Sequence, residues 1–168
     1  MTLDELNARD HRGFVLALER IFEHSPWVPE AAWQRRPFES FEALYRALVD
    51  AMRGAAPEAQ LALIRGHPEL SGKAASAEAL TNESRAEQAG AGLDRCSPDE
   101  LLRLRDLNQD YRTKFGFPFV IAVRGLDRAT ILQRLAERLE RDRATELEEA
   151  LQQIERIAWL RLQATIEA

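Results

Sequence analysis

Three observations predict an all-α fold. Apolar residues recur at helical spacing through most of the chain. Ser, Thr and Asp stand in capping positions where those stretches begin. Only one run, residues 117–124, has an extended, β-like character. A lone strand cannot satisfy its backbone by sheet pairing. That run is therefore expected as a buried extended connector within a single domain, residues 1–168, of roughly eight helices.

Each element has its own warrant. Thr2-x-x-Glu5 is a capping box for a short first helix. Phe14, Leu18, Ile21 and Phe22 share one side of a helix predicted over residues 10–23, which Ser25-Pro26 breaks. A short helix follows over 29–34 and stops before Pro37. Ser40 caps the next, whose stripe is Phe41, Leu44, Leu48 and Met52, with Gly54 at its end. Pro57 suits a first helical turn, and that helix reaches Gly66. Weak periodicity with Gly, Pro and Ser predicts a loop over 66–80, then a helix over 81–91. Ser97-Pro98-Asp99-Glu100 combines an N-cap, a proline at the first position and a capping glutamate. Its helix ends at Gly116. Asp127 caps a helix over 128–141, and the last helix covers 143–166.

Composition narrows the function. The chain has 168 residues, 45% of them hydrophobic and 30% charged, which suits a folded domain. The net charge is -5 with both signs interleaved, so no nucleic-acid surface is expected. No run is long enough to span a bilayer. Neither a signal-peptide core at the start nor a peroxisomal address at the end is seen, so the cytoplasm is the expected location. Cys96 is the lone cysteine and is expected as a small packing residue. No histidine pair has metal-ligand spacing, so no metal is implied.

Some polar residues stand where apolar ones belong. On the last helix Leu147, Leu151, Ile154 and Ala158 lead to Arg161. An arginine there either snorkels to solvent or pairs with an anion inside. Leu80, Ser84, Glu87 and Ala91 form a similar stripe, with Gln88 one turn beyond Ser84. A solvated face would account for Glu87 equally well. His67 precedes Pro68, which restricts the histidine to extended conformations. Imidazole is suited to proton transfer near neutral pH. His11 and His24 read as surface or packing residues, and Trp27, Trp33 and Trp159 as packing residues.

Four stretches carry a family resemblance. They are Phe22-Glu23-His24-Ser25-Pro26-Trp27, Gly66-His67-Pro68-Glu69-Leu70, Glu83-Ser84-x-x-Glu87-Gln88, and Asn108-x-x-Tyr111-x-x-Lys114-Phe115-Gly116-Phe117-Pro118-Phe119-Val120. Together they make the chain resemble 2-oxo-4-hydroxy-4-carboxy-5-ureidoimidazoline (OHCU) decarboxylases over nearly its whole length. The resemblance implies an all-helical, cofactor-free homodimeric enzyme acting on a small-molecule substrate, with His67 as proton donor. It implies a pocket that includes Pro68, Ser84, Glu87 and Gln88. It adds backbone from Phe119, Val120, Ile121, Ala122 and Val123, and an anion grip from Arg161. Glu87 is expected to share the catalytic work of His67. Two other readings fit the residues: a hydrolase in which His67 and Glu87 activate water, and a helical interaction module without catalysis.

Overall fold

The computed structural model of the protein describes residues 1–70 and 80–167. The predicted loop over 66–80 falls mostly outside these described residues. Among them are nine α-helices, two short 3-10 turns and no strand, apart from one isolated parallel bridge between Thr2 and Glu167. The all-α expectation holds. The chain groups into two compact units, residues 1–66 with 154–168, and residues 67–153.

The first unit begins with α1 (Leu3–Asn7), whose start is the predicted Thr2/Glu5 capping box. Asp10 caps α2 (His11–Leu18) through the Gly13 amide at 2.7 Å. Then come α3 (Trp27–Ala32), a 3-10 turn at Trp33–Arg35, α4 (Phe41–Arg53) and α5 (Pro57–Gly66). The C-terminal part of α9 (Arg143–Thr165) completes this unit. Its core gathers Leu6, Phe14, Leu18, Phe22, Val28, Leu44, Leu48 and Met52. Trp33 meets Phe14 edge to face, and Trp159 meets Phe41 and Tyr45 the same way, so both indoles pack as expected.

One helix is shorter than its pattern predicts. α2 stops at Leu18, and residues 19–25 wind through turns instead of continuing to 23. Ile21, Phe22 and Glu23 are all buried. Successive helical residues point ~100° apart, so one helix face cannot bury three in a row. The turns, with exposed His24 at a left-handed φ of 47°, achieve it.

The second unit holds α6 (Asn82–Gly90), a 3-10 turn at Leu93–Arg95, α7 (Pro98–Phe115), α8 (Arg128–Leu139) and the first part of α9. The Ser97/Glu100 capping box opens α7 as predicted. Gly116 closes it at φ 79°, a left-handed conformation that glycine adopts without a Cβ penalty. Residues 117–123 are buried and lie in neither helix nor strand, as expected for the connector. The rings of Tyr111, Phe115, Phe117 and Phe119 pack together beside it.

Two caps on this side carry an acid dependence. Asp127 accepts the Thr130 amide at 2.8 Å and Asp142 accepts the Thr145 amide at 2.8 Å. These backbone hydrogen bonds hold both carboxyls below their ordinary value of 3.8. A carboxyl depressed in the folded state stabilises the fold fully above its unfolded value. That contribution is lost as pH falls through about 3.8 toward the folded value. Asp127→Asn keeps a capping oxygen but removes the charge. The variant is expected to lose less stability between pH 5 and pH 3 than the parent does, measured by urea denaturation at each pH. Parallel pH profiles for the two proteins would refute it.

Candidate active site

His67 follows the last residue of α5 and is 7% exposed. The segment that carries it is tied down just beyond the histidine. The Gln88 amide donates to the Glu69 carbonyl at 3.5 Å, and Asn108 Nδ2 donates to the Leu70 carbonyl at 2.7 Å. Arg112 pairs with the Glu69 carboxylate. Helices α6 and α7 thus hold two successive residues, Glu69 and Leu70, by three ties. Pro68, half-buried, removes a donor and narrows the backbone of His67.

Thr81 caps α6, its hydroxyl accepting the Ser84 amide at 3.2 Å. Ser84 and Gln88 lie four residues apart on its buried face, and Glu87 is half-buried. A fully solvated face is therefore not what this helix presents at Ser84 and Gln88.

The connector offers backbone groups. The Ala122 N–H donates to Gln153 Oε1 at 3.0 Å, and the Val120 carbonyl accepts Arg138 Nη1 at 2.7 Å. Among the described residues, the N–H groups of Phe119, Val120 and Ile121 donate to no protein acceptor. Ile121 and Val123 are buried with them. Buried N–H groups are rarely left without an acceptor, which marks this stretch as able to bind ligand oxygens.

Arg161 lies in the other unit and is 6% exposed. It does not snorkel. Nη1 donates to the Arg20 carbonyl at 3.1 Å and Nη2 meets Glu23 Oε1 at 3.2 Å. Glu23 is itself buried, so the turn region that ends α2 early also supplies the partner of this guanidinium.

Two features lie apart from this chemistry. A groove of about 330 Å³ is lined by Arg95, Glu100, Asp127 and Arg128, among others, and holds none of the candidate residues. Its charges serve the fold: Glu100 accepts the Ser97 amide and Asp127 the Thr130 amide at helix starts, and Arg128 donates to Glu100 and to the carbonyls of Gly92 and Arg95. Cys96 is half-buried, and burial followed by Glu100 pushes its thiol up, away from the reactive thiolate. Among the described residues no cluster of three or more His, Cys, Asp or Glu is placed to hold a metal. No described helix is long and apolar enough to cross a membrane.

The family model for OHCU decarboxylase matches residues 7–163. The chain belongs to the OHCU decarboxylase family. It is 39% identical over 163 residues to the 2-oxo-4-hydroxy-4-carboxy-5-ureidoimidazoline decarboxylase of Halalkalicoccus jeotgali, covering 97% of this chain and 90% of that one. It is 39% identical to the putative enzyme of that name from Homo sapiens, covering 100% of this chain and 97% of the relative. It also matches 32% of the length of a uric acid degradation bifunctional protein from Bacillus sp., at 41% identity over 97% of this chain. Among solved structures, an (S)-allantoin synthase superposes with a TM-score of 0.81 at 28% identity. That match covers 99% of this chain and 54% of the synthase. As an OHCU decarboxylase family member, the chain is an enzyme of the carboxy-lyase class.

The second unit also contains polar residues that the stripe reading passed over. Glu146 is fully buried on α9 and Arg138 is 3% exposed on α8. Arg138 Nε meets Glu146 Oε1 at 2.7 Å, and the Tyr111 hydroxyl donates to the same oxygen at 2.5 Å. The signal was present: Ile131 and Leu135 lead at helical spacing to Arg138, as apolar residues lead to Arg161.

Proposed function

We propose that the protein decarboxylates 2-oxo-4-hydroxy-4-carboxy-5-ureidoimidazoline and protonates the product carbon on one face, giving (S)-allantoin in urate breakdown. Family membership over nearly the whole chain supports the substrate. The observation that carries the chemistry is a buried imidazole on a backbone segment pinned at Glu69 and Leu70.

Loss of CO2 leaves the electron pair of the broken C–C bond on the ring carbon, and neighbouring ring groups delocalise it. His67 then delivers a proton to that carbon as general acid. Arg161 holds anionic or carbonyl oxygen by charge-assisted hydrogen bonds. N–H groups of the Phe119 to Val123 stretch bind ring carbonyls as an oxyanion hole does. Ser84, Glu87 and Gln88 exchange hydrogen bonds with the ureido and ring N–H groups, beside Pro68. Glu87 also sets the protonation state of His67. No cofactor takes part. The chain acts as one domain over 1–168, as a cytoplasmic homodimer, without nucleic acid or membrane as partner.

A coupled assay tests this reading. The unstable ureidoimidazoline is generated from urate in situ, and allantoin handedness is followed by circular dichroism. A single-handed signal faster than the spontaneous background is the expected result. A signal no faster than background from folded protein would overturn it. Sedimentation of the purified chain tests the dimer.

A further inference from the structure

Arg138 is costly where it stands, and stability alone does not explain it. Taking a guanidinium and a carboxylate out of water consumes most of what their attraction returns, and apolar residues of similar size commonly serve as well. Two nitrogens of this guanidinium and its flat face reach the connector or Glu146, which steadies its charge. Nη1 donates to the Val120 carbonyl at 2.7 Å, the guanidinium carbon lies 4.4 Å from the Phe119 ring centroid, and Nε meets Glu146.

The peptide bond makes the first contact directional. A trans peptide is planar, with its C=O and the following N–H pointing opposite ways. Holding the Val120 carbonyl on Arg138 therefore turns the Ile121 N–H away from Arg138. The next plane is fixed too, because the Ala122 N–H donates to Gln153. Ile121 thus lies between two peptide planes that side chains have locked, and its own N–H has no described acceptor.

We propose that Arg138, steadied by Glu146, and Gln153 are positioning residues that aim the Ile121 N–H at an oxygen of the substrate. The inference rests on the reading above, in which connector N–H groups bind ring carbonyls, and names the donor and the groups that orient it. Tyr111 shares Glu146 with Arg138 and packs on the Phe119 ring, but makes no hydrogen bond to the connector's backbone, so it separates packing from the orientation of the peptide.

The test compares full-length Arg138→Lys, Arg138→Met and Tyr111→Phe with the parent. Two quantities are measured where each variant is folded: kcat and KM on in situ substrate, and hydrogen exchange at the Ile121 amide. Lysine keeps the charge but cannot serve Glu146 and the Val120 carbonyl with the fork geometry of arginine. Arg138→Lys is expected to lose ~10- to 100-fold in kcat/KM, mostly in kcat, and to exchange Ile121 faster. Tyr111→Phe is expected to lose stability yet hold kcat/KM within ~2-fold. Parental kcat/KM and exchange in Arg138→Lys would overturn the proposal. Equal activity losses in Tyr111→Phe and Arg138→Lys would also overturn it, because the effect would then follow packing. If Arg138→Met does not fold, the lysine variant decides. If the parent itself shows no decarboxylation, the functional reading fails, while Ile121 exchange still decides whether Arg138 fixes that peptide.

Discussion

Replacing His67 with asparagine is expected to lower decarboxylation by at least ~10², the low end of what a positioned general acid contributes. The fold should survive. Hydrogen bonds and an ion pair from α6 and α7 hold this segment at the Glu69 and Leu70 carbonyls and the Glu69 carboxylate. Asparagine fills part of the ring's space and keeps polar atoms there, so helical circular dichroism and cooperative melting should stay close to the parent. The residual product carries a second signature. Without a fixed donor on one face, water protonates the planar carbon from both sides, and allantoin should lose handedness as its rate falls. Near-parental turnover with intact handedness in His67→Asn would remove the histidine from the mechanism.

The largest stability effect is expected at Glu146→Leu. That change strips Arg138 of its anion while the guanidinium stays 3% exposed, and leaves the Tyr111 hydroxyl without its acceptor. Breaking a buried ion pair from one side costs about 3–5 kcal/mol. For a chain of this size that corresponds to a Tm lower by ~10 °C. The double change Arg138→Met with Glu146→Leu removes both charges and should recover much of the loss, since an apolar pair faces no desolvation. Thermal melts of the parent and the two variants check this. A single variant melting with the parent would mean that Arg138 reaches solvent or another anion once Glu146 is gone.

Much of the fold could be read ahead of the structure because its helix starts are written in short-range chemistry. Thr2, Ser40, Ser97 and Asp127 each cap the helix their pattern predicts. The end of α2 could not be read this way. Its continuation to residue 23 has good local periodicity, and the decision against it comes from long-range burial of Ile21, Phe22 and Glu23. The candidate residues divide similarly. Arg161 was legible as a charge at the end of an apolar stripe. Glu146 is hidden because the apolar stripe of the sequence passes through Leu147, which is half-buried, whereas the buried face runs through Glu146, Ala150 and Ile154. A rotation of one residue moves a side chain by ~100° and exchanges core for surface. Gln153 carried no pattern at all, since its partner is a backbone N–H 31 residues away.

Tyr111 has an optical consequence. The chain has two tyrosines, and burial raises both phenols, Tyr45 with help from Glu155 and Tyr111 with help from its bond to Glu146. Tyr111 is raised more strongly, by burial first and then by its hydrogen bond to Glu146. A phenol raised in the folded state favours folding below its unfolded value of 10.0, and that advantage is lost as pH rises above it. Tyrosinate absorbs at longer ultraviolet wavelength than tyrosine. Tyr111 should therefore stay dark in that band while the chain is folded and light up only as its core opens. A single stopped-flow trace after a jump to high pH would time the opening of the second unit without any added dye.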